Sequence, residues 1–412
     1  MARLTASAKA TAVRRSFMRR RKPRPTNETQ MKRRDFAFWW DVMMRATIGF
    51  ALTLTLTVSA ASAQSQKPTL DIYIVDVEGG KATLFVSPSG ESALIDTGSP
   101  GDRDVDRIMA AISDAGLEQI DYLISTHYHG DHIGGMQELA KRIPIRHFID
   151  HGPTVEEREH VEGFQQAYAE LYSKARHTVV KPGDSVPIAE LDWRIVSSAA
   201  EVLDDPLPGG GQPNPYCDRF EPRENTSGPE NGQSVGSVVT YGEFRVVDLG
   251  DLLWNNERDL MCPNNPIGTV DLYLTSHHGL DQSGSEVLVH ALQPRVAITQ
   301  NGTRKGASEQ TFRTLHSSPN LEDLWQLHWS HNGRLEFNPA GVFIANIEEP
   351  ATIATILTTP SPAPSGAGRA PDHTGPGHWI KVSARSAGTF TVTNSRNGFS
   401  KTYSHRDREE RP

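Results

Sequence analysis

The chain of 412 residues is predicted to fold as a layered α/β protein. Two features carry that expectation: after Leu70 the hydrophobic period switches repeatedly between two and 3.6, and β-branched runs end directly in polar, histidine-rich segments. A hydrophobic content of 37% supplies a core and is too low for a polytopic membrane protein.

The elements follow in order. "LDIYIVDV" from Leu70, "ATLFVS" and "SALIDTG" alternate apolar and polar residues between Gly/Pro/Ser punctuation, the pattern of a strand meander. "DVDRIMAAISDAGLE" then places Val105, Ile108, Met109 and Ile112 on one helical face. "DYLIST" is a strand that delivers a His-rich loop, "GGMQELAKRI" a helix and "RHFIDHG" a further strand, so the succession is βαβα. Residues Glu156–Arg176 form a polar helix whose stripe of Phe164, Tyr168 and Leu171 is read as core contact. "TVVKPGDSVPI" and "LDWRIVSS" are strand-like, with a turn at Pro182-Gly183. From Asp204 to Ser234 the chain is aperiodic and rich in Pro, Gly and Asn, a length that in compact domains marks a functional lid or a disordered segment. "SVVTYG", "FRVVDLGD", "VDLYLTSHHG" and "PRVAITQNG" are strands again. Residues 351–377 are a Pro/Gly/Ser-rich linker or loop, and 378–412 a C-terminal hairpin and tail with turns at Ser386–Gly388 and Asn397-Gly398.

Residues 1–63 are read as a leader rather than a domain. Met31 precedes "KRRDFAFWW", an apolar run over Ala46–Val58 and "SAASAQ", in which Ala61 and Ala63 frame a small-residue cleavage site. The apolar run is too short to span a bilayer comfortably, so a cleaved signal outranks an anchor and no membrane span remains after cleavage. Arg33-Arg34 resembles the twin-arginine export signal; the alternative is a generic basic n-region. The Arg-rich patch before Met31 is either a nucleic-acid arm or the product of a start assigned too early, with Met31 the real start. The expected location is periplasmic or extracellular.

The leader holds 13 Lys+Arg and 3 Asp+Glu of the chain's 42 and 50, leaving 29 and 47, a net charge of −18. Such a surface repels long nucleic acid. Cys217 and Cys262 are too few for a disulfide scaffold; they either pair or stand as two free thiols.

"STHYHGDHIGG", Ser125 to Gly135, places His127, His129, Asp131 and His132 in a loop leaving a strand. His127 and His129 can point to one metal, Asp131 and His132 to a second, and imidazole with carboxylate suits Zn²⁺. Further donors stand at strand ends: Asp251 closes "VVDLGD", where a carboxylate could bridge two cations, and His277-His278 close "YLTSHHG". Two zinc ions per chain are expected, with Mn²⁺ or Fe as alternatives. Asp96 in "IDTG" is read as the partner of a metal-bound imidazole. Asp248 has the same role or that of a turn residue. In "TQNGTRKG", Asn301 or Lys305 could hold a substrate anion; the alternative is an ordinary surface loop.

"THYHGDH" resembles the signature of the metallo-β-lactamase superfamily. "IDTG" at Ile95–Gly98, "LGD" around Asp251 and "HHG" at His277–Gly279 resemble the branch containing the hydrolase domain of ComEC-type DNA-uptake proteins and bacterial phosphorylcholine esterases. The resemblance runs from about Leu70 to about Asn301 and implies an αββα sandwich, with the hydrolase domain taken as residues 64–350 and metals at one sheet edge bound by His127, His129, Asp131, His132, Asp251 and one of His277/His278. It implies an enzyme that hydrolyses through a metal-bound hydroxide oriented by Asp131. Two departures stand out. Many members have another histidine ligand before the bridging aspartate, for which His151 is the best candidate, with support of the loop or contact with substrate as its alternative roles. Where the branch has "GQGDA", this chain has "EGGKA", Glu78–Ala82.

The functional expectation is an exported hydrolase of a phosphodiester or related ester of a small molecule. The alternatives are a lactone or β-lactam hydrolase, and a non-catalytic metal-binding domain that displays its acidic surface to a partner.

Overall fold

The computed structural model describes residues 68–347 and 375–405, together with 351, 353, 354, 358 and 373. The leader expected over 1–63 and most of the 351–377 connection lie outside the described residues.

The strands are β1 (Leu70–Ile74), β2 (Thr83–Val86), β3 (Ser92–Ile95), β4 (Ile120–Ile124), β5 (Ile145–Asp150), β6 (Arg176–Val179), β7 (Asp192–Ser198), β8 (Glu201–Val202), β9 (Gln212–Pro213), β10 (Gly236–Tyr241), β11 (Phe244–Asp248), β12 (Asn264–Asn265), β13 (Leu272–Leu274), β14 (Val296–Thr299), β15 (Asp323–His328), β16 (Ile344–Asn346), β17 (Ile380–Ala384), β18 (Phe390–Asn394) and β19 (Ser400–Tyr403). Nine of them form one sheet in the order β19-β18-β17-β1-β2-β3-β4-β5-β6, and eight a second in the order β16-β15-β14-β13-β11-β10-β7-β8. The helices are α1 (Asp102–Asp114), α2 (Gly130–Ile133), α3 (Met136–Arg142), α4 (Glu159–Tyr172), α5 (Trp254–Met261), α6 (Glu286–Leu292) and α7 (Glu309–His316).

Period-two alternation divides each strand between two cores. Ile72, Phe85, Ile95 and Ile124 of the first sheet pack with Trp193, Val239, Val246, Leu274 and Ile298 of the second. The opposite face of the first sheet, with Leu84, Leu94 and Leu123, takes Val105, Ile108 and Ile112 of α1, Leu139 of α3 and Tyr168 of α4. Val238, Val247 and Tyr273 on the outer face of the second sheet take Leu260 of α5, Leu288 and Leu292 of α6 and Leu315 of α7. The layers are therefore α, β, β, α, the expected sandwich. Each such side chain contributes about 1.5–3 kcal/mol on burial. Phe85 and Trp193 meet edge to face with centroids 4.8 Å apart, adding about 0.5–1.5 kcal/mol across the sheets.

Two expectations are corrected. The helix expected over Glu156–Arg176 is confined to Glu159–Tyr172, because Arg176 already belongs to β6, whose parallel pairing to β5 holds the backbone extended. "TVVKPGDSVPI" forms a strand only up to Val179; Pro182 and Pro187 have no N–H for a ladder, and the later residues make one isolated bridge, Ser185 to Arg194. The C-terminal turns fall where expected, and the strands they join continue the first sheet through antiparallel pairing of β17 with β1. No helix among the described residues is long and apolar enough to cross a membrane.

The aperiodic stretch from Asp204 to Ser234 is pinned at several points. Cys217 and Cys262 form a disulfide, and the buried Asn214 donates to the carbonyls of Met261 and Val287. Closing a loop of sequence separation 45 restricts the unfolded chain by about 4 kcal/mol in the chain-entropy model. Cys217→Ser, or reduction with dithiothreitol, is expected to lower the unfolding free energy by up to about that amount in urea titrations. An unchanged midpoint would show that the bridge closes no entropically costly loop.

Candidate metal centre

Strands β3, β4 and β5 run parallel in the first sheet, and β11, β13, β14 and β15 run parallel in the second. Their carboxyl ends emit every donor that the sequence singled out: Asp96 after β3, the histidine loop after β4, Asp251 after β11 and His277-His278 after β13.

Asp251 is the hub. Its Oδ2 lies 3.2 Å from His132 Nε2, 3.3 Å from His278 Nε2, 3.6 Å from His277 Nε2 and 4.0 Å from His127 Nε2. Asp131 Oδ2 stands 3.3 Å from His132 Nε2 and 3.2 Å from His278 Nε2, and Lys305 Nζ pairs with the same oxygen. One donor atom each from Asp131, His132, Asp251 and His278 lies within 4.8 Å of all the others. His127 Nε2 faces His129 Nδ1 at 3.0 Å beside this group. His129 lies nearer solvent, with Nε2 against Glu156 and Arg158.

The far ring nitrogens settle which way these imidazoles point. His278 Nδ1 is 3.2 Å from the Gln300 carbonyl, which can only accept, so this nitrogen carries the proton. Ser283 Oγ donates to the Leu252 carbonyl and is left to accept from His277 Nδ1 at 3.4 Å. His132 Nδ1 stands 2.8 Å from Asp96 Oδ2, a carboxylate that also accepts from Thr126 N and Oγ1. His277 and His278, protonated on Nδ1, then present Nε2 lone pairs to Asp251 Oδ2, itself an acceptor. Buried acceptors facing one another repel, and Asp251 Oδ1 accepts no hydrogen bond among the described residues. A divalent cation between them resolves both problems, so the donor set fits the metal that the motif implies.

The charges agree. Burial, then the neighbouring His132 and His129, pushes His127 well below its ordinary range. Burial takes His277 down to about 4, against the pull of Asp251. For Asp251, burial is overcome by His132, His278 and His277, which hold its carboxyl well below the usual range; Lys305 and His132 do the same for Asp131. Burial works against His132, yet Asp251, Asp131 and Asp96 raise it well above 6.5, the mark of a ring crowded by carboxylates.

The backbone pays locally for this placement: His277 and His278 hold φ of 51° and 56°, left-handed values that cost about 1–3 kcal/mol each. His277 N donates to Gly250 O, and His278 O accepts from Ala307 N, which lock the turn. Close approach explains two glycines: a Cβ on Gly135 would stand 2.3 Å from Thr97 O, and one on Gly80 2.4 Å from Asp131 O.

Other expected residues sit elsewhere. His151 Nε2 donates to Glu230 Oε1 at 3.0 Å and does not join the donor cluster. The fully buried Glu230 also accepts from Tyr128 N, Thr154 Oγ1 and Val155 N, which brace the histidine loop; burial opposes it, but His151 and these donors hold its carboxyl at about 2. Asn301 is corrected: its amide donates to Gly302 O and His328 O and its Oδ1 accepts from His328 N, so backbone contacts saturate it. Asp248 pairs with the buried Lys81 of "EGGKA" at 2.7 Å. The sequence reading missed Glu230, Glu156 and Ser283; the first lies in the aperiodic stretch, where no spacing marks it.

A layered α/β sandwich with imidazoles and carboxylates converging at the carboxyl edge of both sheets defines a class of metal-binding scaffold. The profile described as the metallo-beta-lactamase superfamily matches residues 75–299, more than half of the chain, and the chain belongs to that superfamily, whose members are mostly metal-dependent hydrolases. It is similar to recombination protein 2 of Haemophilus influenzae, 25% identical over 256 residues, covering 61% of this chain and 27% of that protein. It is also similar to competence protein ComA of Neisseria gonorrhoeae, 24% identical over 224 residues, covering 54% and 26% respectively. A third relative is ribonuclease Z of Methanopyrus kandleri, 26% identical over 178 residues, covering 41% of this chain and 60% of that protein. The competence proteins are the branch that the motifs resembled, and the chain spans about a quarter of their length.

Asp96→Asn removes the charge that His132 Nδ1 faces. Metal affinity, measured by competition with a chromogenic chelator, is expected to fall about 10–100-fold with the fold intact by circular dichroism. Unchanged affinity would remove Asp96 from the centre.

Proposed function

We propose that the chain is an exported hydrolase with two zinc ions at this centre, acting on a phosphodiester or related ester of a small substrate. The convergence of the His132, His277 and His278 Nε2 atoms on Asp251 Oδ2 carries the reading. His127, His129 and Asp251 would hold one ion; Asp131, His132, His278 and the shared Asp251 the other. When bound, such ions supply hydroxide at neutral pH and neutralise charge on the reacting oxygens.

The chain's own residues do the rest. Asp131, partly exposed beside buried histidines, accepts a hydrogen bond from the attacking water and orients it. Lys305, also partly exposed, offers its ammonium to an anionic oxygen at the mouth. Asp96, Gln300 O and Ser283 hold the imidazole tautomers. Phosphoester chemistry is favoured by Lys305 and by a relative whose name is that of a ribonuclease. The −18 net charge after the leader favours a small substrate over a long polyanion.

Zinc-loaded protein should turn over bis(p-nitrophenyl) phosphate faster than a chromogenic β-lactam or a lactone, and Asp251→Ala should abolish it. Lys305→Met should raise KM for the phosphodiester about tenfold or more, the equivalent of one charged hydrogen bond of about 1.5–3 kcal/mol. Bound metal without phosphodiester turnover would overturn the preference, and lactone or lactam turnover would replace it. Export predicts an N-terminus at Gln64 on protein recovered outside the cytoplasm; a chain retained there with residues 1–63 intact would refute it.

A further inference from the structure

A second group of metal-competent side chains lies apart from the histidine loop. Asp76 and Glu78 follow β1, His328 ends β15 and His373 precedes β17, so three distant chain segments meet. One donor atom from each lies within 4.8 Å of the others. Asp76 and His328 are fully buried and the Glu78 side chain is 5% exposed, while His373 at 24% opens to solvent.

The hydrogen bonding within this group is incomplete. His328 Nε2 stands 2.6 Å from Asp76 Oδ1 and 2.9 Å from Glu78 Oε2. A ring nitrogen carries at most one proton, and that proton is aligned on Asp76. Glu78 Oε2 is left as a buried carboxylate oxygen that accepts no hydrogen bond among the described residues. Its other oxygen is used, accepting from Thr303 N at 3.0 Å. Arg107 Nη1 occupies the far oxygen of Asp76 at 2.6 Å, and Arg107 Nη2 donates to His373 O and Gly375 O. The guanidinium thus fixes the Asp76 carboxylate through Oδ2, which His373 Nδ1 also faces at 3.3 Å, while Oδ1 faces His328; the two imidazole centroids are 5.2 Å apart.

We propose that Asp76, Glu78, His328 and His373 bind a further divalent cation, a structural zinc separate from the catalytic centre. Two imidazoles with two carboxylates suit zinc, whereas calcium and magnesium prefer all-oxygen sites. The ion satisfies Glu78 Oε2 and joins the end of β15 to the segment entering β17. It also steadies the Thr303–Lys305 loop, whose Lys305 pairs with Asp131.

The test counts zinc per folded chain, by native mass spectrometry and elemental analysis, on the full-length protein equilibrated with zinc alone. Glu78→Gln preserves shape, and His373→Ala alters a partly exposed residue on a connection, so each is expected to fold; circular dichroism checks this. Each should hold one zinc fewer than wild type, and Asp251→Ala should retain one zinc that disappears when His373→Ala is added. Equal zinc content in wild type, Glu78→Gln and His373→Ala overturns the proposal. Failure of the catalytic-centre reading has a different signature: Asp251→Ala would leave the zinc count unchanged while Glu78→Gln still lowered it.

Discussion

The structure depends on one constraint: the carboxyl ends of parallel strands from two different sheets must end flush at the same edge. His127 to His132 come from the first sheet, Asp251, His277 and His278 from the second, and their reactive atoms lie 3–4 Å apart. Only a rigid inter-sheet core can hold such a spacing. Aromatic contacts that cross it, Phe85 on Trp193 and Phe244 on Phe390, therefore serve the site as directly as the residues around it.

Concentrating buried acceptors at that edge is unfavourable, and the fold offsets the cost through partners outside the cluster. Asp96 serves His132 and Thr126 together; Gln300 O and Ser283 fix the rings from the second sheet. The buried Lys81–Asp248 pair spans the two sheets beneath the centre, and Lys81 N donates to Asp131 O. Breaking a buried pair of this kind leaves an uncompensated charge. The left-handed backbone at Asp96, His277 and His278 lies in the same layer, the usual place for a fold to store strain.

The acidic surface and the pinned 204–234 stretch bear on what reaches the edge. Glu230 and Asn231, both buried, bring this stretch to the histidine loop: Glu230 holds Tyr128 N, and Asn231 Nδ2 stands 3.4 Å from His277 Nε2. Its earlier part, through Tyr216 and Arg219 to Arg223, lines a cavity of about 1040 Å³ with Trp254 and Phe312. A segment without hydrophobic periodicity is thus ordered by a disulfide and by buried amides and carboxylates.

By itself the sequence determined the layered class, through changes of hydrophobic period, and the centre's main donors, through the dense spacing of His127 to His132 and polar residues closing apolar strands. Those signals are local and survive without a fold. Tertiary structure alone decided that Asp251 faces four imidazoles, that both His277 and His278 turn inward, and that Cys217 pairs with Cys262. It also decided that Asn301 is spent on backbone and that His151 answers to Glu230. Asp76, Glu78, His328 and His373 were invisible in the sequence for the same reason: Asp76 meets His328 252 positions away and His373 farther still, and no spacing rule reaches so far. Which donors meet is set by how two sheets stack, a property of the packed core and of no single segment.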